Sequence, residues 1–284
     1  MFVVEPSTTH THTIVLLHGL GSNGAKFGQE LLDIGVTSSS QKLAQLFPYV
    51  RFVFPTSKPR RSSAFGRSIL TQWFDIARLN DPSYLQDRQL QGLEESGVET
   101  LAILAEELKR VPAQNLILGG LSQGCAMSLA VLLCLEQPIG GYIGMSGYSC
   151  HASNLSLVLE DDEEGFDPFG REDGAETAKC VAAQTFEREL LNISRIEEPS
   201  VERTSHLTPV LMGHGELDEK VPLKLGEAAA GVIRDAGYDV DWKCYAGQGH
   251  WYKIPEQIDD IVNFITDKVG WEKCESSIAE QSSN

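Results

Sequence analysis

The run NLILGGLSQGCAMSLAVLLCLE, residues 115–136, decides the fold. Asn115 to Gly119 is a short apolar stretch of strand length, and Gln123 to Glu136 reads as a helix. Between them stands Gly120-Leu121-Ser122-Gln123-Gly124, a Gly-x-Ser-x-Gly pentapeptide. A serine on so sharp a strand-to-helix turn sits in strained backbone, and side chains at the flanking glycines would collide. The hydroxyl is left exposed above a sheet, near the positive end of the following helix. The rival reading is an ordinary glycine-rich turn with a capping serine.

Working outward, short apolar runs alternate with helical stretches. Strands are expected at 13–18, 50–54, 115–119, 141–145, 209–213 and 240–245. They are rich in Val, Ile and Leu and mostly lack alternation, which suits central strands covered on both faces. Helices are expected at 91–110, 123–136, 223–236 and 255–269. In the first of these, Leu93, Val98, Leu101, Leu104, Ala105 and Leu108 recur near helical spacing, with glutamates facing water. The alternation predicts one α/β domain over 1–284, a mostly parallel sheet with helices on both faces. Residues 151–205 break the pattern with acidic clusters, Phe166, Phe169 and a short helix at 177–192. They read either as a solvated surface insertion or as a lid whose apolar contacts are the two phenylalanines. Residues 275–284 read as a disordered tail.

The chain has 284 residues and a formal net charge of −17. Such a surface repels phosphate backbones, which argues against nucleic acid as a partner. No run approaches the length of a membrane span, and no secretory signal is legible at the start. The expectation is a cytoplasmic protein without stable membrane insertion, its oligomeric state unread. Six cysteines occur without metal-ligand spacing and read as free thiols. With no P-loop, dinucleotide fingerprint or zinc spacing, no cofactor or metal is expected.

A serine hydroxyl needs a neighbouring base, and in folds with this turn the order along the chain is serine, acid, histidine. His250, in Gly247-Gln248-Gly249-His250-Trp251, follows the last strand in a loop, where open α/β sheets build their sites. His206 and His214 border a strand and read as structural. Asp218 follows the strand at 209–213 and is placed to orient the imidazole, with Glu216 and Glu219 as rivals. The loop His18-Gly19-Leu20-Gly21 follows the first strand and offers backbone N–H groups. The amides of Leu20 and Gln123 are the expected oxyanion donors.

Five stretches resemble the acyl-protein thioesterase/carboxylesterase (phospholipase/carboxylesterase) family of α/β-hydrolases: LLHGLGSNG at 16–24, QWFDI at 72–76, LILGGLSQGCAMSLA at 116–130, HGELDEKVP at 214–222 and GQGHW at 247–251. The resemblance implies the α/β-hydrolase fold and hydrolysis of acyl thioesters on proteins, lysophospholipids or small carboxylic esters. It implies Ser122, Asp218 and His250 as nucleophile, acid and base, with Leu20 and Gln123 at the oxyanion. Trp73, Phe74 and Trp251 are expected to shape the acyl pocket. Ser22 stands where the family usually has Asp, and Cys125 where it usually has Gly; Cys125 reads as packing. Lys58, Arg60, Arg61 and Arg67 form a basic run that reads as a solvated loop. Compact members lack most of 151–205. Acyl transfer from the same acyl-enzyme, and a ligand-binding protein on the hydrolase fold, are the alternatives.

Overall fold

The computed structural model describes residues 1–161 and 172–274. Among the described residues, nine strands occur in chain order: β1 Phe2–Val4, β2 His12–Leu17, β3 Val50–Phe54, β4 Pro59–Arg61, β5 Ile69–Thr71, β6 Leu116–Leu121, β7 Gly141–Met145, β8 Val210–Gly215 and β9 Val240–Tyr245. Seven form one sheet in the order β1-β3-β2-β6-β7-β8-β9, while β4 and β5 pair as a separate hairpin. Only β1 runs antiparallel, at the edge against β3. The six expected strands thus occupy the sheet's parallel body. The short β1 and the β4–β5 hairpin were not expected: strands of three residues carry almost no periodicity.

The described residues also hold eight α-helices: α1 Gly24–Ile34, α2 Leu43–Leu46, α3 Leu90–Leu108, α4 Gln123–Cys134, α5 Ala152–Asp161, α6 Glu172–Leu190, α7 Leu223–Asp235 and, after the last strand, α8 Glu256–Asn263. Successive side chains of a strand point to opposite faces. In β6, Leu116 and Leu118 enter one core layer with α4, while Ile117 and Leu121 enter the other with Phe27 and Leu31 of α1 and Ile258 of α8. Both faces are therefore dry, and the strands need apolar residues throughout.

Every residue of α4 is buried. A helix apolar all round needs cover all round, and α6 supplies it on the side away from the sheet. Ala183 of α6 and Leu191 just beyond it join the same core layer as α4. Two carbonyls at the α4 C-terminus, which lack intrahelical partners, are met from α6: Arg188 Nη1 donates to Cys134 O at 2.8 Å and Gln184 Nε2 to Leu135 O at 2.7 Å. Within 151–205, α6 together with Leu155 and Leu159 of α5 is thus packed into the core, while residues 192–203 lie at the surface. Phe166 and Phe169 lie outside the described residues, as does the tail at 275–284.

The expected face of α3 is corrected. Val98 is 53% exposed, and Ala105 is exposed too. The buried side runs through Gly92, Leu93, Ser96, Gly97, Thr100, Leu104 and Glu107. Small residues win because the helix touches backbone: a Cβ on Gly92 would lie 2.5 Å from Phe74 Cα. Glu107 does not face water. It is buried against Arg51, with Nε–Oε2 at 3.2 Å, because a buried guanidinium requires a partner.

Candidate active site

The strand β6 delivers Ser122 into the turn before α4 at φ 56° and ψ −120°. Non-glycine residues rarely hold such a backbone, at a cost of about 1–3 kcal/mol. The flanking glycines are required by contact: a Cβ on Gly124 would lie 2.2 Å from Leu17 O, and one on Gly120 2.5 Å from Gly124 C. The turn is pinned from the sheet by Ser122 N–H, which donates to Met145 O at 2.8 Å.

Asp218 and His250 come from the loops at the C-terminal ends of β8 and β9. His250 Nδ1 is 2.8 Å from Asp218 Oδ2 and 3.0 Å from Oδ1. The carboxylate also accepts from the Lys220 amide at 2.9 Å and the Val221 amide at 2.8 Å. His214 Nε2 lies 3.3 Å from Oδ2. Burial works to raise the Asp218 pKa, but hydrogen bonds from His214, His250 and the Val221 amide outweigh it and hold the carboxyl well below its usual range. The group is an anion aimed at the imidazole. Neither Glu216 nor Glu219 takes this place: Glu216 Oε2 instead accepts from the Gly247 amide at 2.9 Å.

His214 is the residue that sequence reasoning undervalued. It is buried at the end of β8, its Nε2 also 2.8 Å from Val221 O, its ring 6.1 Å from that of Trp242. Gly226 leaves room for it, since a Cβ there would lie 2.3 Å from Nδ1. His206, by contrast, sits away from the site, its Nδ1 2.7 Å from Thr204 Oγ1.

Ser122 and His250 line one cavity of about 410 Å³. Gly19, Leu20, Ser22, Phe27, Phe65, Leu79, Leu121, Lys220, Val221 and Trp251 complete its wall. The wall is mostly apolar, which suits an apolar substrate. Leu20 lies on the loop that passes Ser122, and its amide has no acceptor among the described residues. The Gln123 amide, at the first position of α4, is likewise left open by helix geometry.

Of the three aromatics expected at the acyl pocket, Trp251 lines the cavity, and Trp73 and Phe74 do not. Both are fully buried behind it. Their backbone holds the elbow: Gln123 Oε1 accepts from Trp73 N–H at 2.9 Å, and Gln123 Nε2 donates to Phe74 O at 2.8 Å. Trp73 Nε1 donates to His18 O at 2.8 Å, fixing the loop that carries Leu20. The His18 ring is locked too, with Nδ1 2.7 Å from Gly19 O and the Ser57 amide donating to Nε2 at 3.1 Å. Burial lowers its pKa to about 4, so it stays neutral there. Asp75 accepts from Ser63 N–H at 2.7 Å and so anchors the β4–β5 loop that presents Phe65. The basic run beside it is partly paired with α3, Lys58 with Glu99 and Arg60 with Glu95. Cys125 is buried, its Sγ 3.4 Å from Tyr142 Oη, and burial pushes its thiol up to about 11, which makes it inert packing.

Among the described residues, no group of His, Cys, Asp and Glu is arranged to hold a metal ion. No helix among them is long and apolar enough to cross a membrane.

The sequence pattern of the phospholipase/carboxylesterase family matches residues 1–159 and 191–268. The chain belongs to that family. Acyl-protein thioesterase 1 of Gibberella zeae is 25% identical over 266 residues, covering 93% of each chain. The protein of the same name from Saccharomyces cerevisiae is 26% identical over 258 residues, covering 89% of this chain and 91% of the other. The crystal structure of Zea mays acyl-protein thioesterase 2 superposes with a TM-score of 0.62 at 25% identity, covering 95% of this chain and 98% of that one. Family membership makes the chain a serine hydrolase of carboxylic ester or thioester bonds, built on the α/β-hydrolase fold. The family pattern passes over residues 160–190, which include all of α6.

Proposed function

We propose that the chain cleaves acyl thioesters and carboxylic esters through an acyl-enzyme on Ser122. His250 takes the Ser122 proton as the oxygen attacks the carbonyl, and Asp218 stabilises the imidazolium that forms. The amides of Leu20 and Gln123 receive the developing oxyanion. His250 returns the proton to the leaving thiolate or alkoxide, and water then releases the acid by the same steps in reverse order. The observation that carries this reading is the 2.8 Å contact from His250 Nδ1 to Asp218 Oδ2, with His250 and the strained Ser122 on one cavity wall.

The substrate reading rests on two supports. The relatives named above are called acyl-protein thioesterases, and the cavity wall offers Leu20, Phe27, Phe65, Leu79 and Trp251 to an acyl chain. S-acylated proteins, lysophospholipids and small esters all present such a chain beside a reactive carbonyl. The test is a panel of thioesters and oxyesters of graded chain length, with an S-acylated peptide included. Ser122→Ala is expected to lower kcat by at least about 10³-fold and to abolish labelling by a fluorophosphonate probe. Turnover that survives in Ser122→Ala would sink the assignment.

A further inference from the structure

A second cavity, of about 510 Å³, adjoins the first. Leu79 lines one and Asn80 the other; Val221 lines one and Leu225, a turn further on, the other. Its wall is more mixed than the first, with Asn80, Asp81, Ser83, Gln86 and Ser149 beside Pro82, Leu225 and Ala228. Two helices begin at it, α5 with Ala152 and Ser153 and α7 with Lys224. No side chain caps α7. The amides of Ala152, Ser153 and Lys224 have no acceptor among the described residues. Open first-turn amides and the helix dipole both favour negative charge. The Lys224 ammonium is exposed and makes no ion pair among the described residues.

An independent observation points the same way. Tyr148 lines this cavity at 3% exposure, yet its hydroxyl has no hydrogen-bond partner among the described residues. The ring is buried but the oxygen is not sealed off, so it opens on this space, where a ligand can supply its partner. His151 lines the same wall, but its unpartnered Nε2 is buried away from the open space and is not one of these donors. Donors thus gather at a space that the chemistry on Ser122 does not use. The opposing groups are Asp81, whose Oδ1 accepts from Ser83 Oγ at 2.6 Å, and Asp87, whose charge acts on His151.

We propose that this cavity is a subsite for a carboxylate or phosphate carried by the substrate away from its reacting carbonyl. The proposal rests on the Ser122 reading for its place in the reaction. Donation from Tyr148, charge from Lys224 and the two helix starts hold the anion, and Asp81 tempers their affinity.

The test compares matched substrates. One arm keeps the acyl group and sets the thioester of 3-mercaptopropionate against that of its carboxamide. The other keeps the leaving group and sets an acyl chain ending in a carboxylate against its methyl ester. The anionic member of one pair is expected to show a KM about three- to tenfold lower, and the arm that responds tells which half of the substrate reaches the cavity. Lys224→Ala and Tyr148→Phe bring that ratio towards one, and Asp81→Asn raises it. Titration calorimetry with inorganic phosphate reads the subsite without turnover; binding to the wild type is expected to weaken in Lys224→Ala. Equal KM values in both arms, or phosphate binding absent or indifferent to Lys224, overturns the subsite. Fluorophosphonate labelling in the same samples reports separately on Ser122.

Discussion

Asp218 is held by more donors than orientation of one imidazole requires, and that surplus has consequences for pH and for mutation. Its folded pKa lies below the unfolded value of 3.8. The stabilisation is therefore present above about pH 4 and is lost as pH falls further towards the folded value. Asp218→Asn should flatten urea-unfolding stability between pH 5 and pH 2, while kcat falls by about 10⁴-fold. His214→Ala leaves Val221 O and one Asp218 oxygen short of a buried donor, so the expected loss is about 1–3 kcal/mol with a reduced kcat. Equal urea midpoints and equal kcat would show that His214 is filler. Ser122, Asp218 and His250 could be read because each follows a strand in the required order. The role of His214 could not, since it depends on how residues 215–221 fold back over β8. Trp73 and Phe74 were misplaced for a related reason: an aromatic pair near an active site reads the same whether it faces the substrate or the backbone behind it.

Among the elements, α6 joins α4 to a buried carboxyl. Glu187 is 1% exposed, its Oε2 has no partner, and burial raises its pKa to about 8. The unfolded value is 4.5, so folding keeps the proton. Stability from this group is fully present below about pH 4.5 and is eroded as pH rises towards 8, by up to about 1.4 kcal/mol per pH unit in that window. Glu187→Gln should flatten the stability profile from pH 5 to pH 9 and raise the melting temperature at the alkaline end. Identical profiles for the two proteins would contradict this. The helix itself was legible only in part, as 177–192 against the observed Glu172–Leu190. Its sequence is charged, and its burial is set by the apolar surface of α4 that it covers. The same tertiary demand moved the buried face of α3 to its small residues. The parallel strands were legible because burial on both faces leaves continuous apolar runs, whereas α1, α5 and the β4–β5 hairpin mix polar and apolar positions.

At the scale of the molecule, one sheet presents two adjoining cavities at the C-terminal ends of its strands, apolar around Ser122 and mixed beyond Leu79. The family pattern accounts for the sheet and passes over 160–190, yet α6 closes the core over α4. Excising 162–190 should therefore expose α4 and leave Cys134 O and Leu135 O without their partners, with a large fall in melting temperature. A chain so shortened that melts like the intact protein would refute the packing role. The account as a whole turns on a covalent bond at Ser122. Acid quenching during turnover of an acyl thioester, followed by mass spectrometry of the peptide containing Ser122, measures it directly. The account predicts a mass increase equal to the acyl group on Ser122 within the first turnover, absent in Ser122→Ala. Steady hydrolysis with no acyl adduct on that peptide, undiminished in Ser122→Ala, would contradict it.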